Sequence, residues 1–189
     1  MAYGLQFGIN SAIVDDHAFT ESYSSKFGVY AGLIEDLKIG PSATVRIGLG
    51  YSGKGAEVRG DQITAYQRYH YLESSAVIRY TLFKPVSVCA GPYVSWLLSA
   101  RLGLEGSLET DDIYANNLDA GVVGGVTVGV VQGVELGLLY EMGLVDIYEG
   151  SGRNEVVQLL VAVTLPDSWL QAISRTLQGP RSRISILTY

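Results

Sequence analysis

The sequence predicts an all-β protein, with eight antiparallel strands wound up and down into a barrel. Three observations carry this. From Leu5 to Leu165, roughly ten residues of alternating apolar and small or polar side chains recur eight times, each run followed by a turn. Successive side chains of a strand point to opposite faces, so every run has one greasy and one polar face. The 189 residues include 23 glycines and two methionines, a composition that opposes a helical bundle because glycine costs about 1 kcal/mol relative to alanine inside a helix. The connectors, finally, alternate between long and short.

Each run follows the same rule. Tyr3, Leu5, Phe7 and Ile9 oppose Gly4, Gln6, Gly8 and Asn10, and Phe27, Val29, Ala31 and Leu33 oppose Gly28, Tyr30, Gly32 and Ile34. In the clearest run, Ala43, Val45, Ile47, Leu49 and Tyr51 face away from Thr44, Arg46, Gly48, Gly50, Ser52 and Lys54. Leu72, Ala76, Ile78 and Tyr80 then oppose Glu73, Ser75 and Arg79. The fifth run sets Val88, Ala90, Val94, Trp96, Leu98 and Ala100 against Ser87, Gly91, Tyr93, Ser95, Ser99 and Arg101. Pro92 lies inside it and lacks an amide hydrogen, so a local kink or bulge is expected there. Leu118, Ala120, Val122, Val126, Val128 and Val130 oppose Asp119, Gly121, Gly125, Thr127 and Gly129, with Val123 as an apolar intruder. Val134, Leu136, Leu138, Tyr140, Met142 and Leu144 oppose Glu135, Gly137, Glu141 and Gly143. The last run sets Val157, Leu159, Val161, Val163 and Leu165 against Gln158, Ala162 and Thr164.

The connectors Val14–Ser24, Gly53–Gln67, Leu102–Asn116 and Val145–Asn154 are long and polar, whereas Glu35–Pro41, Leu82–Pro85 and Val131–Gly133 are short. Long loops at one end and tight turns at the other are the arrangement of membrane barrels, whose short turns face the periplasm. A Greek-key sandwich would not sort its loops in this way. With an even number of strands, both ends of the barrel chain fall on the short-turn side. No run of eighteen apolar residues is present, so a transmembrane helix is excluded on length. A net charge of −6 without a basic cluster leaves nucleic acid with no electrostatic footprint. The single cysteine, Cys89, can form no disulfide within the chain and reads as a small side chain in a packed site.

An eight-stranded barrel has an interior just wide enough to be filled by side chains or by one small ligand. In a soluble carrier the apolar face would turn inward, and in a membrane barrel it turns outward. The apolar faces here are large and almost free of charge, while the opposite faces are rich in glycine, serine and threonine, which crowd well in a narrow lumen. The charges on those faces, Arg46, Arg79 and Arg101 with Glu73, Asp119, Glu135 and Glu141, are too sparse for a soluble exterior. They are expected to form interlocking ion pairs that fill the lumen. The fold class is therefore an eight-stranded antiparallel up-and-down transmembrane β-barrel over residues 1–165, followed by a short tail over 166–189.

These residues resemble the porin-family, PorT-like small outer-membrane β-barrel proteins common in Bacteroidota. The resemblance covers about Tyr3 to Leu165 and rests on Gly8-Ile9-Asn10, Phe27–Leu33, Leu49–Gly55, Tyr71-Leu72-Glu73, Ala90–Arg101, Asp119–Gly125, Leu138–Tyr140 with Gly143-Leu144, and Asn154–Leu165. It implies an eight-stranded barrel in the bacterial outer membrane, without known catalytic residues and with mostly unassigned roles. Two departures stand out. Met1-Ala2-Tyr3 leads straight into the first strand with no basic and apolar leader, so an export signal is inferred to be removed or missing. The closing strand ends at Leu165 rather than at the aromatic residue usual in the family. In the tail, Trp169, Leu170, Ile173 and Leu177 fall on one face of a short helix that could lie along the membrane interface; a loosely ordered periplasmic tail is the alternative.

Catalytic ingredients are thin. His17 beside Asp15 and Asp16 reads as a solvated acidic turn rather than a metal site. His70 with Ser74 or Ser75 and Glu73 would imitate a hydrolase triad, but His70 and Ser74 stand four residues apart on an extended strand, roughly 13 Å, beyond hydrogen-bond reach. Gly121–Gly125 lacks the strand-to-helix context of a nucleotide loop. Asp15, Asp16, Glu21, Glu105, Glu109, Asp111 and Asp112 make the long loops acidic, as solvated loops or as sites for a cation or a partner. The sequence thus points to a non-enzymatic protein with no cofactor and no metal. Outer-membrane lipid is its surrounding partner, and its long loops are available to a surface ligand or protein. A soluble lipocalin-like carrier and an outer-membrane lipid hydrolase are the competing readings.

Overall fold

The computed structural model describes residues 1–15, 23–59, 64–104, 110–112, 115–147 and 152–166. The strands are β1 (Ala2–Asp15), β2 (Tyr23–Lys38), β3 (Ala43–Arg59), β4 (Thr64–Phe83), β5 (Val86–Leu104), β6 (Thr110–Asp112), β7 (Leu118–Val131), β8 (Val134–Gly143) and β9 (Arg153–Thr164). Each long strand pairs antiparallel with its neighbours, and β1 pairs with both β2 and β9, so eight strands close a barrel. The short β6 lies against the end of β5, pairing Arg101 with Asp112 and Gly103 with Thr110.

One end of the barrel carries the tight turns after β2, β4 and β7. The last of these uses Gly133 at φ +80°, a left-handed conformation that suits glycine because it has no Cβ. Both ends of the barrel chain meet here: the Thr164 amide donates to the Gly133 carbonyl at 2.7 Å, and the Leu165 amide donates to the Tyr3 carbonyl at 2.7 Å.

The alternation sorts the two faces. Phe7, Ile9 and Leu33 are 51%, 55% and 61% exposed, while Asn10, Ser52 and Ser95 are fully buried inside. This inverts the carrier alternative, in which the apolar set would line the interior. On β4 the outward residues Leu82, Tyr80, Ile78 and Leu72 are all exposed. The run from Leu82 to Leu72 measures about 33 Å along the strand, or roughly 25 Å along the barrel axis at a typical tilt, which is the height of a lipid-facing band. Exposed Tyr3, Tyr80 and Phe83 edge the band near the short turns, and Trp96 edges it toward the long loops, as interfacial aromatics do.

Inside, glycines make room for large side chains. A Cβ on Gly50 would stand 3.0 Å from the Tyr30 hydroxyl, and one on Gly121 would stand 2.9 Å from the Tyr93 ring. Tyr30 and Tyr93 are accordingly buried. At the long-loop end, Tyr69, Tyr71 and Ile147 pack with Ala56, Ala100 and Ala115 in a small apolar cluster.

Three features differ from the sequence expectation. The strands run on into stretches read as connectors: β3 continues to Arg59, β4 begins at Thr64, and β6 sits inside the Leu102–Asn116 connector. No register slip occurs at Pro92, which pairs with Val122 in an unbroken ladder to β7, and the ladder to β4 holds one register on either side of it. The bulge falls instead at Leu98, since Tyr71 pairs with Leu97 but His70 pairs with Ser99. An extra residue in a strand reverses the facing of the residues after it. Beyond Leu98, Ala100 is therefore buried and Arg101 exposed. The tail beyond Pro166 lies outside the described residues, as do Asp16, His17, Glu21, Glu105 and Glu109.

Candidate functional site

The inward faces bring charged side chains from opposite walls into two layers. Nearer the short turns, Arg46 on β3 donates from Nε and Nη2 to both carboxylate oxygens of Asp36 on β2, at 2.7 and 2.9 Å. Its Nη1 reaches across the barrel to Glu135 on β8 at 2.8 Å. Arg79 on β4 also pairs with Glu135 and lies 3.5 Å from Asp36. Two guanidinium groups and two carboxylates thus form a closed ring, and bidentate arginine geometry adds direction to its charge.

In the half nearer the long loops a single ammonium holds three carboxylates. Lys54 Nζ on β3 lies 3.0 Å from Glu73 on β4, 3.3 Å from Asp119 on β7 and 2.9 Å from Glu141 on β8. Its side chain is 0% exposed. It also stands 4.4 Å from the Tyr93 ring centroid, on the negative face of the π system. Neutral donors share the load: Ser95 Oγ donates to Glu73 at 3.1 Å, while Asn154 Nδ2 at 2.9 Å and the Tyr93 hydroxyl at 3.3 Å donate to Asp119. On the opposite wall Gln158 donates to Asn10, and Asn10 donates to Ser52, at 2.9 and 3.2 Å. Between the two layers lies a cavity of about 30 Å³ bordered by Arg46, Glu73, Thr127, Glu141 and Cys89, the space of one or two water molecules.

Of the residues singled out from the sequence, Arg46, Arg79 and Glu135 meet in the first layer, and Glu73, Asp119 and Glu141 meet in the second. Arg101 joins neither. It is exposed on the outer wall because the Leu98 bulge reverses its facing. Sequence reasoning left out Asp36 and Lys54. Period two was the available signal for both: Asp36 follows Ile34 on the inner face of β2, and Lys54 follows Arg46, Gly48, Gly50 and Ser52 on that of β3. The groups weighed as a hydrolase triad do not converge, since Glu73 is buried in the lumen while His70 sits on the outer wall beside the Tyr51 hydroxyl.

A closed barrel with a greasy outside and a charged inside is a transmembrane β-barrel, and its place is the bacterial outer membrane. The chain belongs to the Outer membrane protein beta-barrel domain family, whose model matches residues 1–149. Among solved structures it is similar to Neisserial surface protein A, at 16% identity and a TM-score of 0.60 over 85% of this chain and 96% of that one. It is also similar to Ail, the attachment invasion locus protein of Yersinia pestis, at 11% identity and a TM-score of 0.53 over 87% of this chain and 98% of the other. At these identities the likeness is one of fold. No curated protein sequence matches the chain significantly.

Proposed function

We propose that this protein is a non-conducting, non-enzymatic outer-membrane barrel whose lumen is closed by its two ionic layers and whose recognition surface is its set of long loops. The observation that carries this reading is Lys54, fully buried and shared among carboxylates of three strands, two of them on walls that β3 does not adjoin. An ion pair across a narrow lumen blocks it physically, and separating buried partners is costly. The small volume between the layers suits trapped water and not a passing solute. The motifs quoted from the sequence support a further reading of the chain as one of the PorT-like barrels of Bacteroidota.

The test is conductance. Purified protein reconstituted in a planar bilayer gives no stable current steps on this reading, and a porin-like open state in the intact protein overturns it. The hydrolase alternative would require phospholipid or lipopolysaccharide cleavage that disappears with His70→Ala.

A further inference from the structure

The outer wall just beyond the lipid-facing band carries a group of cations that the ionic layers do not use. Arg68 on β4 and Arg101 on β5 stand directly opposite each other in the ladder, both exposed. Like charges so placed repel each other. One step nearer the membrane, His70 pairs in register with Ser99, and both arginines lie within Coulombic range of it. Lys26 on β2 holds its ammonium 4.3 Å from the Tyr66 ring centroid and feels both Arg68 and Glu57. Nearby acidic positions are Glu57 and Asp112, the register partner of Arg101 on β6.

Height decides what this group meets. Arg68 stands four residues beyond Leu72, the last large apolar residue of the band on β4, about 13 Å along the strand and roughly 10 Å along the axis. That is the level of lipid headgroups, within reach of an arginine side chain that keeps its stem on apolar surface. Two exposed guanidinium groups facing sideways at this height are placed to meet an anion in the membrane plane. Planar guanidinium forks match phosphate oxygens in bidentate geometry.

We propose that Arg68 and Arg101, flanked by His70 and Lys26, form a binding site for the phosphorylated sugar headgroup of an outer-leaflet glycolipid of the lipid A type. The site rests on the reading that the long loops face outward. Cleavage of those loops by protease added to intact cells tests that orientation separately, so a wrong orientation and an unselective wall give different results.

The binding experiment uses the full chain in phosphatidylcholine nanodiscs doped with bisphosphorylated lipid A, its dephosphorylated form, or phosphatidylglycerol, with bound lipid counted by native mass spectrometry. Bisphosphorylated lipid A is retained preferentially, and the double variant R68Q/R101Q lowers its apparent affinity by about 10- to 30-fold. Arg153→Gln, on another part of the rim, leaves it unchanged. The heat-dependent shift in electrophoretic mobility reports that each variant is folded. Equal retention of the dephosphorylated lipid or of phosphatidylglycerol overturns the proposal. So does a folded R68Q/R101Q protein that binds lipid A as well as the parent.

Discussion

Replacing Lys54 with methionine keeps the volume of the side chain and removes the one positive charge that the described residues place among Glu73, Asp119 and Glu141. The consequences differ for the three carboxylates. Glu73 keeps the Ser95 hydroxyl, and Asp119 keeps Asn154 and Tyr93. For Glu141, 2% exposed, Lys54 is the described ion-pair partner. Breaking a buried pair by deleting one member typically costs about 3–5 kcal/mol, because a charge is left without compensation. Lys54→Met is therefore expected to lower unfolding stability by that amount, measured as urea unfolding in phosphatidylcholine vesicles by tryptophan fluorescence. Adding Glu141→Gln should return about half of the loss or more, since the orphaned charge is its source, while adding Glu73→Gln should return less. A loss below about 1 kcal/mol, or an equal rescue by the two glutamines, would refute the assignment of Lys54 as the clasp of this layer.

Other perturbations separate the two faces. Leu33→Arg places a charge on the lipid-facing wall, at a position paired with exposed Leu49, and should destabilise the barrel in vesicles by about 2–4 kcal/mol. An effect near zero would mean that residue 33 does not face hydrocarbon. Gly50→Val should cost about 1–3 kcal/mol through overpacking. Its Cβ would meet the Ala31 carbonyl oxygen at 2.7 Å and Gly32 Cα at 2.8 Å as well as the Tyr30 hydroxyl. Because two of those contacts are backbone, Tyr30→Phe should not rescue it, and a full rescue in the same unfolding assay would show that the crowding was misjudged.

Strand identity and facing were legible because period two is a local property, written residue by residue in runs such as Ala43–Lys54. Membership of the ionic layers was less so. Asp36 stood in a stretch read as a turn, and β2 carries its alternation through to Lys38 before turning. Lys54 stood on the polar face, but which carboxylates it meets depends on strand tilt and barrel closure, neither of which is a property of one segment. Arg101 shows the sharpest limit. Trp96, Leu97 and Leu98 are three consecutive large apolar residues, which strict alternation cannot place on one face. Alternation itself turns Leu97 inward against the apolar cluster of Tyr69, Tyr71 and Ile147, and the bulge at Leu98 then reverses the facing of Ala100 and Arg101. The triplet itself keeps period two and does not announce the reversal after it, whereas Pro92, the residue that looked irregular, fits the ladder with its exposed ring on the outer wall.

The two layers also explain how a barrel with a polar interior keeps one shape. Backbone ladders hold each strand only to its immediate neighbours, so they leave the cross-section free to flatten. The ionic contacts supply what the ladders lack: Arg46 ties β3 to β8, and Lys54 ties β3 to β7 and β8, so both layers brace the same pair of opposed walls. Opening a pore would mean drawing those walls apart against contacts in a site that water does not flood, where electrostatic attraction is stronger than at the surface. A single neutralised contact in the Arg46 ring leaves other members of the ring in place, since Glu135 is held by two arginines and Asp36 approaches both. Among the described residues the Lys54 layer has a single cation and no such redundancy. Conductance, if mutation can create it, should therefore appear first in Lys54→Met and later, or only in combination, in Arg46→Gln and Arg79→Gln, an order that a planar bilayer can read directly.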